Sequence, residues 1–160
     1  MHKISLPYSK GCFICGEENP IGMKRRFYMK DGGVVTEFKS STEHQGFPGV
    51  LHGGIVCALL DETMGWAPTS QTQLFCMTAE LNVRFIMSVP IHKRILVIGT
   101  VDSINKRLYR ASGKVVDDDG TVYATATGKY VPLTMEQTLE VDRLLVYDEH
   151  TRRIFDPLKK

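Results

Sequence analysis

The sequence lacks the features that define several large classes of proteins. Its 160 residues contain no uncharged apolar run long enough to span a membrane. The first residues, MHKISLPYSKGC, lack the apolar core of a secretion signal, so we expect a cytoplasmic protein. Internal repeats and low-complexity segments are also missing. A chain of this length predicts one compact domain.

The sequence has no large excess of charge of either sign. Lys and Arg total 20 against 18 Asp and Glu, which gives a formal net charge of +2. A domain that binds nucleic acid normally has a stronger basic excess. We therefore expect neither a nucleic acid nor a membrane as a partner.

Cysteine is scarce, with four residues at positions 12, 15, 57 and 76. Without a secretion signal, disulfides are not expected. Cys12 and Cys15 have the spacing of half a zinc site, but no second Cys-x-x-Cys or closely spaced His pair follows. We prefer a tight turn with two small buried side chains, and we expect no metal and no cofactor. The alternatives are a redox pair and a metal half-site completed by another chain or by His2, His44 or His52.

Turn residues and periodicity divide the chain into three segments. We expect an irregular segment over residues 1–21 and the main domain over residues 22–132. Residues 133–160 are expected to form an extension that is partly helical. A helix is expected over 51–66, ended by Pro68, and a short helix over 134–146. Apolar and polar patterning predicts strands over 24–29, 34–38, 77–87, 94–104, 107–117 and 122–131.

One long helix followed by consecutive long strands predicts an α+β fold. An antiparallel sheet would wrap around the helix, in contrast to a doubly wound parallel sheet. A single helix covers one face of such a sheet, so the remaining apolar edges favour a dimer. On the strand over 77–87, strict alternation places Thr78, Glu80, Asn82 and Arg84 on one face.

The segment His52-Gly53-Gly54 at the start of the long helix is suited to bind an oxyanion. Glycine lets a ligand approach the main chain, and the first N–H groups of a helix have no internal partners. Such donors stabilise the charge that develops during acyl transfer. No Gly-x-Ser-x-Gly segment is present, which disfavours the α/β-hydrolase route to ester cleavage.

Asp61 lies within the same helix, on a narrow stripe with Gly54, Ala58 and Gly65. Small residues there allow a substrate to pass close to the helix, and Glu62 falls at the margin of the stripe. The alternative is that Asp61 has no function: it would lie at the solvated edge of the helix, and the small residues would only allow close packing. Gly53 and Asp61 are about 12 Å apart along the helix, so one carbonyl cannot touch both within one chain. If they act together, each belongs to a different subunit.

Three segments resemble one known family. Residues 46–54 (GFPGVLHGG), Leu60-Asp61 and residues 78–83 (TAELNV) resemble the hotdog-fold acyl-CoA thioesterases, in the branch related to phenylacetate-pathway and long-chain acyl-CoA thioesterases. The resemblance covers residues 22–132. The lead-in CFICGEENPIG is similar to a feature of some bacterial members, and the C-terminal extension is unmatched. The resemblance implies a bent antiparallel sheet around one long central helix, in a homodimer or homotetramer.

The resemblance also implies hydrolysis of an acyl-CoA to the free acid and CoA. The Gly53 N–H would polarise the thioester carbonyl, and His52 would shape that turn. Asp61 of the opposing subunit would act as general base or nucleophile, and Thr78 would hold the attacking water.

Substrate contacts are expected from further residues of this segment. Many relatives of the phenylacetate type have Asn at the position of Gly46, so His44 or Gln45 would supply the polar contact here. The full set of expected substrate-binding residues is Gly54, Glu62, His44, Gln45 and Arg84. Cations available for the phosphates of CoA are Arg84, Lys93, Arg94, Lys106 and Arg107, and candidates for an apolar acyl pocket are Phe47, Met64, Trp66, Phe75 and Met77.

Two other functions fit the same fold. One is a non-catalytic protein that binds acyl-CoA or lipid, because fold does not fix function. The other, ranked last, is a dehydratase of hydroxyacyl thioesters, a class that usually has a different His-based signature.

Overall fold

The computed structural model describes residues 3–159, and His2 lies outside this range. The long helix α1 spans Gly53–Thr72, and the short helix α2 spans Met135–Asp142. Short 3₁₀ turns lie at Thr42–His44 and Asp156–Lys159. The strands are β1 Ile4–Ser5, β2 Tyr8–Ser9, β3 Phe27–Lys30, β4 Gly33–Lys39, β5 Cys76–Phe85, β6 Arg94–Ile104, β7 Tyr109–Asp117, β8 Val122–Pro132 and β9 Leu145–Val146.

Seven strands form one antiparallel sheet in the order β1-β3-β4-β6-β7-β8-β5. Helix α1 packs against all the strands from β3 to β8, so the sheet wraps around it. The predicted α+β fold, with an antiparallel sheet around one long helix, is confirmed. Asp31 and Gly32 both have positive φ values, of 53° and 80°, which are the backbone angles required by the tight turn between β3 and β4.

The prediction that Pro68 ends the long helix is wrong, because α1 continues to Thr72 with Pro68 inside it. Proline removes one N–H donor from the helix, which is a local cost. Ala67, Pro68 and Thr69 are buried, and their packing holds the last turns in place. The helix instead ends at Gln73, whose left-handed φ of 62° directs its N–H to the Thr69 carbonyl at 2.9 Å.

The terminal segments agree with the prediction only in part. The first segment, predicted to be irregular, contains β1, which pairs with β3, and β2. The second predicted helix has the expected capping box of Thr134 and Gln137 but ends at Asp142. Leu145 and Val146 form β9, which pairs with β2, so the two terminal segments are joined.

Helix α1 lies directly on β6 at Gly99. A Cβ atom at position 99 would stand 2.7 Å from the Thr63 carbonyl oxygen and 3.1 Å from the Met64 Cα. Both atoms belong to the helix backbone, which cannot rotate away as a side chain can. The close approach of helix and sheet therefore requires glycine at this position.

We expect Gly99→Ala to lower the free energy of unfolding by about 1–3 kcal/mol, because the helix must move off the sheet. Urea unfolding followed by circular dichroism measures this loss. Gly11→Ala is the matched control, since nothing lies within 4 Å of an added Cβ there. Equal midpoints for the two variants would contradict the packing described here.

Strand β5 is at one end of the sheet and pairs with β8 along one side only, within the part of the chain that the structure covers. Most of its residues are exposed. The strand and the residues that follow it expose Met77, Phe85, Ile86 and Met87, each at least half exposed.

None of the helices within residues 3–159 is long and apolar enough to cross a membrane.

Candidate active site

The start of α1 is fixed by His52. Its Nδ1 accepts a hydrogen bond from the Gly54 N–H at 2.9 Å, which caps the helix. Because Nδ1 is the acceptor, a neutral His52 has its proton on Nε2. A Cβ at position 54 would lie 2.9 Å from that same Nδ1, so a larger residue there would displace the imidazole from its capping position. The imidazole thus holds the glycine turn in place, in a helix-capping role.

The Gly53 N–H is not satisfied by this helix cap. It has no acceptor among residues 3–159, as expected for the first residue of a helix. A Cβ at position 53 would meet the Phe85 ring at 3.3 Å, so the end of β5 lies beside this donor. The cleft around Gly53 has a volume of about 530 Å³ and is lined by residues 46–47, 50–53, 56 and 85–89.

The side chains of His44 and Gln45 form hydrogen bonds within the loop that precedes α1. The His44 Nδ1 accepts from the Ser41 N–H at 3.0 Å, and its ring packs edge-on against Phe38. The Gln45 Oε1 accepts from the Gly49 N–H at 3.2 Å. Both expected substrate-binding side chains therefore have structural partners within the loop.

Asp61 is two helical turns further along α1 and is held by Thr78. The Thr78 hydroxyl donates to the Asp61 Oδ1 at 2.7 Å, and the Tyr130 hydroxyl lies 3.4 Å from the Asp61 carbonyl oxygen. Burial raises the pKa of Tyr130, and the charge of Asp61 adds to the effect. Tyr130 was not identified from the sequence, where it is one of several aromatic residues on alternating strands.

A β-bulge brings Thr78 to Asp61. The pairing of β5 with β8 shifts register between Thr78 and Glu80, so Ala79 is the additional residue. Strict alternation predicted that Thr78 shares a face with Arg84, and this is wrong. Thr78 is paired with Tyr130 and reaches α1, whereas Arg84 lies in a cross-strand row with Thr125, Lys114 and Ile98.

That row faces away from α1, because Ile98 adjoins Gly99, whose Cβ direction points at the helix. Arg84 therefore lines a separate groove on the outer face of the sheet. Two other cations proposed for CoA phosphates already have partners. Lys93 contacts Asp117 at 2.9 Å, and Arg94 contacts Glu37 and Asp118, each at 2.8 Å.

Glu62 is next to Asp61 but faces a different neighbour, the Cys12–Cys15 turn. Cys12 Sγ lies 3.7 Å from both carboxylate oxygens of Glu62. Burial raises the pKa of Glu62 to about 7, and negative charge on Cys12 adds to the effect. The neighbouring Cys15 thiol lowers the pKa of Cys12, and the Cys12 sulfur in turn raises the pKa of Cys15. The preferred tight turn is present, and Cys15 is buried whereas Cys12 is half-buried.

Asp61, Thr78 and Glu62 share a cavity of about 200 Å³ with Trp66 and Phe75. This cavity is distinct from the cleft around Gly53, so within one chain the Gly53 N–H and the Asp61 carboxylate line different cavities. Among the expected acyl-pocket residues, Met64 is in the core, Trp66 and Phe75 line the Asp61 cavity, and Phe47 lines the Gly53 cleft.

The family model of the thioesterase superfamily matches residues 48–124 of this chain. Acyl-coenzyme A thioesterase THEM4 of Bos taurus is 30% identical over 129 residues, which are 79% of this chain and 53% of that protein. Acyl-coenzyme A thioesterase THEM5 of Homo sapiens is 31% identical over 105 residues, 64% of this chain and 42% of that protein. The chain thus spans about half the length of these curated relatives.

Solved structures agree with the fold. A thioesterase superfamily protein superposes with a TM-score of 0.70 at 26% identity, covering 76% of this chain and 60% of that protein. A hypothetical thioesterase of Streptococcus pneumoniae, solved with coenzyme A, gives a TM-score of 0.61 at 18% identity, covering 65% and 83% respectively. The site residues above therefore lie on a scaffold shared with thioesterases.

Proposed function

We propose, from the premise that this chain belongs to the thioesterase superfamily and has its hotdog fold, that it hydrolyses acyl-CoA thioesters to the free acid and CoA. The observation that carries the proposal is the Asp61 carboxylate, oriented by Thr78 beside a cavity and close to the unpaired edge of β5. The similarity to two named acyl-coenzyme A thioesterases supports the choice of substrate class.

The direction of β5 explains how two copies would complete the site. Thr78, near the beginning of the strand, contacts Asp61, and Phe85, at its end, adjoins Gly53. When β5 pairs antiparallel with β5 of a second copy, the beginning of each strand lies beside the end of the other. Gly53 of one copy then approaches Asp61 of its partner, and a two-fold dimer contains two such sites.

The surface around β5 supports this assembly. An unpaired strand edge with exposed apolar side chains is normally covered in a native protein. Met77, Phe85 and Met87 supply that apolar surface here. We propose a homodimer through β5, and a homotetramer would be a dimer of such dimers.

Hydrolysis in this arrangement begins with water. The Asp61 carboxylate takes one proton from a water molecule, whose oxygen attacks the thioester carbonyl carbon. The resulting oxyanion accepts a hydrogen bond from the Gly53 N–H of the partner subunit. Collapse of this intermediate breaks the C–S bond, and the proton on Asp61 passes to the departing CoA sulfur.

Asp61 can also act as a nucleophile. Its oxygen would then attack the carbonyl carbon and displace the CoA thiolate, leaving a mixed anhydride. Water hydrolyses this anhydride to the free acid and the Asp61 carboxylate, and the remaining proton goes to the CoA thiolate. In both routes the 2.7 Å hydrogen bond from Thr78 fixes the orientation of the carboxylate. Thr78 can also hold the attacking water through the lone pairs of its hydroxyl oxygen.

Release of free thiol from a panel of short-chain, long-chain and aromatic acyl-CoAs tests the proposal. We expect catalytic turnover of at least one member, at a rate proportional to protein concentration. Cys57→Ser is a control that should retain full activity, because no step uses that thiol. Saturable binding of acyl-CoA without thiol release across the panel would refute hydrolysis and support the non-catalytic binding function.

A further inference from the structure

The Cys12–Cys15 turn and Glu62 bring three potential metal ligands together. The two sulfur atoms and a carboxylate oxygen of Glu62 all lie within 4.8 Å of one another. The sequence suggested half a zinc site at most, to be completed by a remote histidine or another chain. In the fold, the third ligand comes from α1, 50 residues along the chain from Cys12.

The turn itself has the geometry of a thiolate ligand loop. The N–H groups of Ile14 and Cys15 point at the Cys12 Sγ, at 3.3 and 3.4 Å. Such donors stabilise a sulfur that has lost its proton. Gly16 closes the turn by donating to the Cys12 carbonyl at 2.9 Å, and a Cβ at position 16 would lie 2.4 Å from the Lys10 carbonyl oxygen.

Glu62 provides an independent observation. Its side chain is half-buried and lines a cavity, yet it forms no ion pair with any Lys, Arg or His in the described range 3–159. Its polar neighbour is the Cys12 sulfur at 3.7 Å, a weak partner. Carboxylates withdrawn from water are normally paired with a cation or coordinate a metal, and the more so the deeper they lie.

The contact between Cys12 and Glu62 has the spacing of two ligands of one tetrahedral ion, and the third ligand atom lies within 4.8 Å of both. Zinc binds thiolate sulfur at about 2.3 Å and carboxylate oxygen at about 2.0–2.2 Å, which places ligands of a tetrahedral site roughly 3.5–3.8 Å apart. The distance of 3.7 Å between Cys12 Sγ and Glu62 falls in this range. Two thiolates with one carboxylate favour zinc over Mg²⁺ or Ca²⁺, which prefer oxygen ligands alone.

We propose that Cys12, Cys15 and Glu62 bind one Zn²⁺ ion per chain, with the fourth coordination position open to the cavity that holds Asp61 and Thr78. Binding displaces the thiol protons of both cysteines to solvent. The ion ties the N-terminal segment to α1 one residue from Asp61. Zinc binding is measured without a substrate, so the proposal stands independently of the proposed hydrolysis.

Metal binding by the reduced, chelator-treated full chain tests the site. Equilibrium dialysis against Zn²⁺ is expected to give one tightly bound equivalent. Co²⁺ in its place should give the charge-transfer absorption of thiolate coordination, which a purely structural turn would not produce. Cys12→Ser and Glu62→Gln should each lower the zinc affinity by at least roughly 100-fold, since even loss of an outer-shell partner typically costs 10–100-fold.

The matched control is Cys57→Ser, which removes a thiol from α1 outside the proposed ligand set and should bind zinc as the wild type does. Cys12 is half-buried whereas Cys15 is buried, so Cys12→Ser is the variant expected to fold without perturbation. Circular dichroism of each variant verifies the fold. Failure of the wild type to bind zinc saturably, or unchanged affinity in folded Cys12→Ser, would overturn the proposal.

Discussion

Replacing Asp61 with asparagine is expected to lower kcat for acyl-CoA hydrolysis by about 10²–10⁴-fold, the contribution typical of a positioned general base. Asparagine has nearly the same shape and still accepts the hydrogen bond from Thr78 through its carbonyl oxygen. The fold should therefore be preserved while the basic group is lost. Steady-state kinetics with the best substrate of the acyl-CoA panel measures the loss, and thermal unfolding verifies the fold.

The control is Asp102→Asn, the same chemical change at an exposed carboxylate of β6 that accepts a hydrogen bond from the Ser112 hydroxyl. This variant should leave kcat unchanged. If Asp61→Asn were as active as this control, Asp61 would have neither the base nor the nucleophile role. A smaller loss in kcat with a larger rise in KM would instead assign Asp61 to substrate binding.

Subunit mixing extends the same test to the dimer interface. Gly53→Pro removes the N–H donor at the first helical position, where proline is well tolerated, and should be nearly inactive. A dimer of one Asp61→Asn chain and one Gly53→Pro chain retains one complete site. Random mixing of equal amounts should therefore restore about a quarter of the wild-type activity if the site is shared across a two-fold dimer. No recovery in verified mixed dimers would place both groups of each site in one chain.

The elements with strong local signals could be predicted from the sequence. The β3–β4 turn has Asp31-Gly32 at its centre, and four long strands follow from alternation and turn residues. The glycine turn before α1 was recognised from a three-residue segment. In each case the interactions that determine the structure lie within a few residues along the chain, so the local sequence pattern is sufficient to predict them.

The differences arise where tertiary packing overrides the local rule. Pro68 remains inside α1 because the residues around it are buried. Alternation along β5 fails at Ala79, because the bulge changes which face the following residues occupy. As a result Thr78 reaches Asp61 and Arg84 does not, which the sequence alone could not distinguish. The contact of Glu62 with Cys12 joins residues 50 positions apart and has no local signature.

Phe155 is expected to be among the most important side chains for stability, although the segment that contains it matches no part of the family resemblance. Its side chain is fully buried and stacks on Phe75 with ring centroids 4.6 Å apart. Phe75 in turn meets the Trp66 ring edge-on at 5.3 Å. Phe155→Ala should lower the free energy of unfolding by about 3–5 kcal/mol, the usual cost of deleting a buried aromatic ring.

Urea unfolding of Phe155→Ala against Leu144→Ala checks this prediction. Leu144 lies in the same C-terminal segment but is 70% exposed, so its truncation should change stability by less than about 0.5 kcal/mol. Similar midpoints for the two variants would mean that the C-terminal segment does not pack on the core. Trp66 and Phe75 line the Asp61 cavity. Removing the Phe155 ring that packs on Phe75 should therefore also raise KM for acyl-CoA. The C-terminal segment would then support one wall of the site through the packed rings of Phe155, Phe75 and Trp66, without contacting the substrate itself.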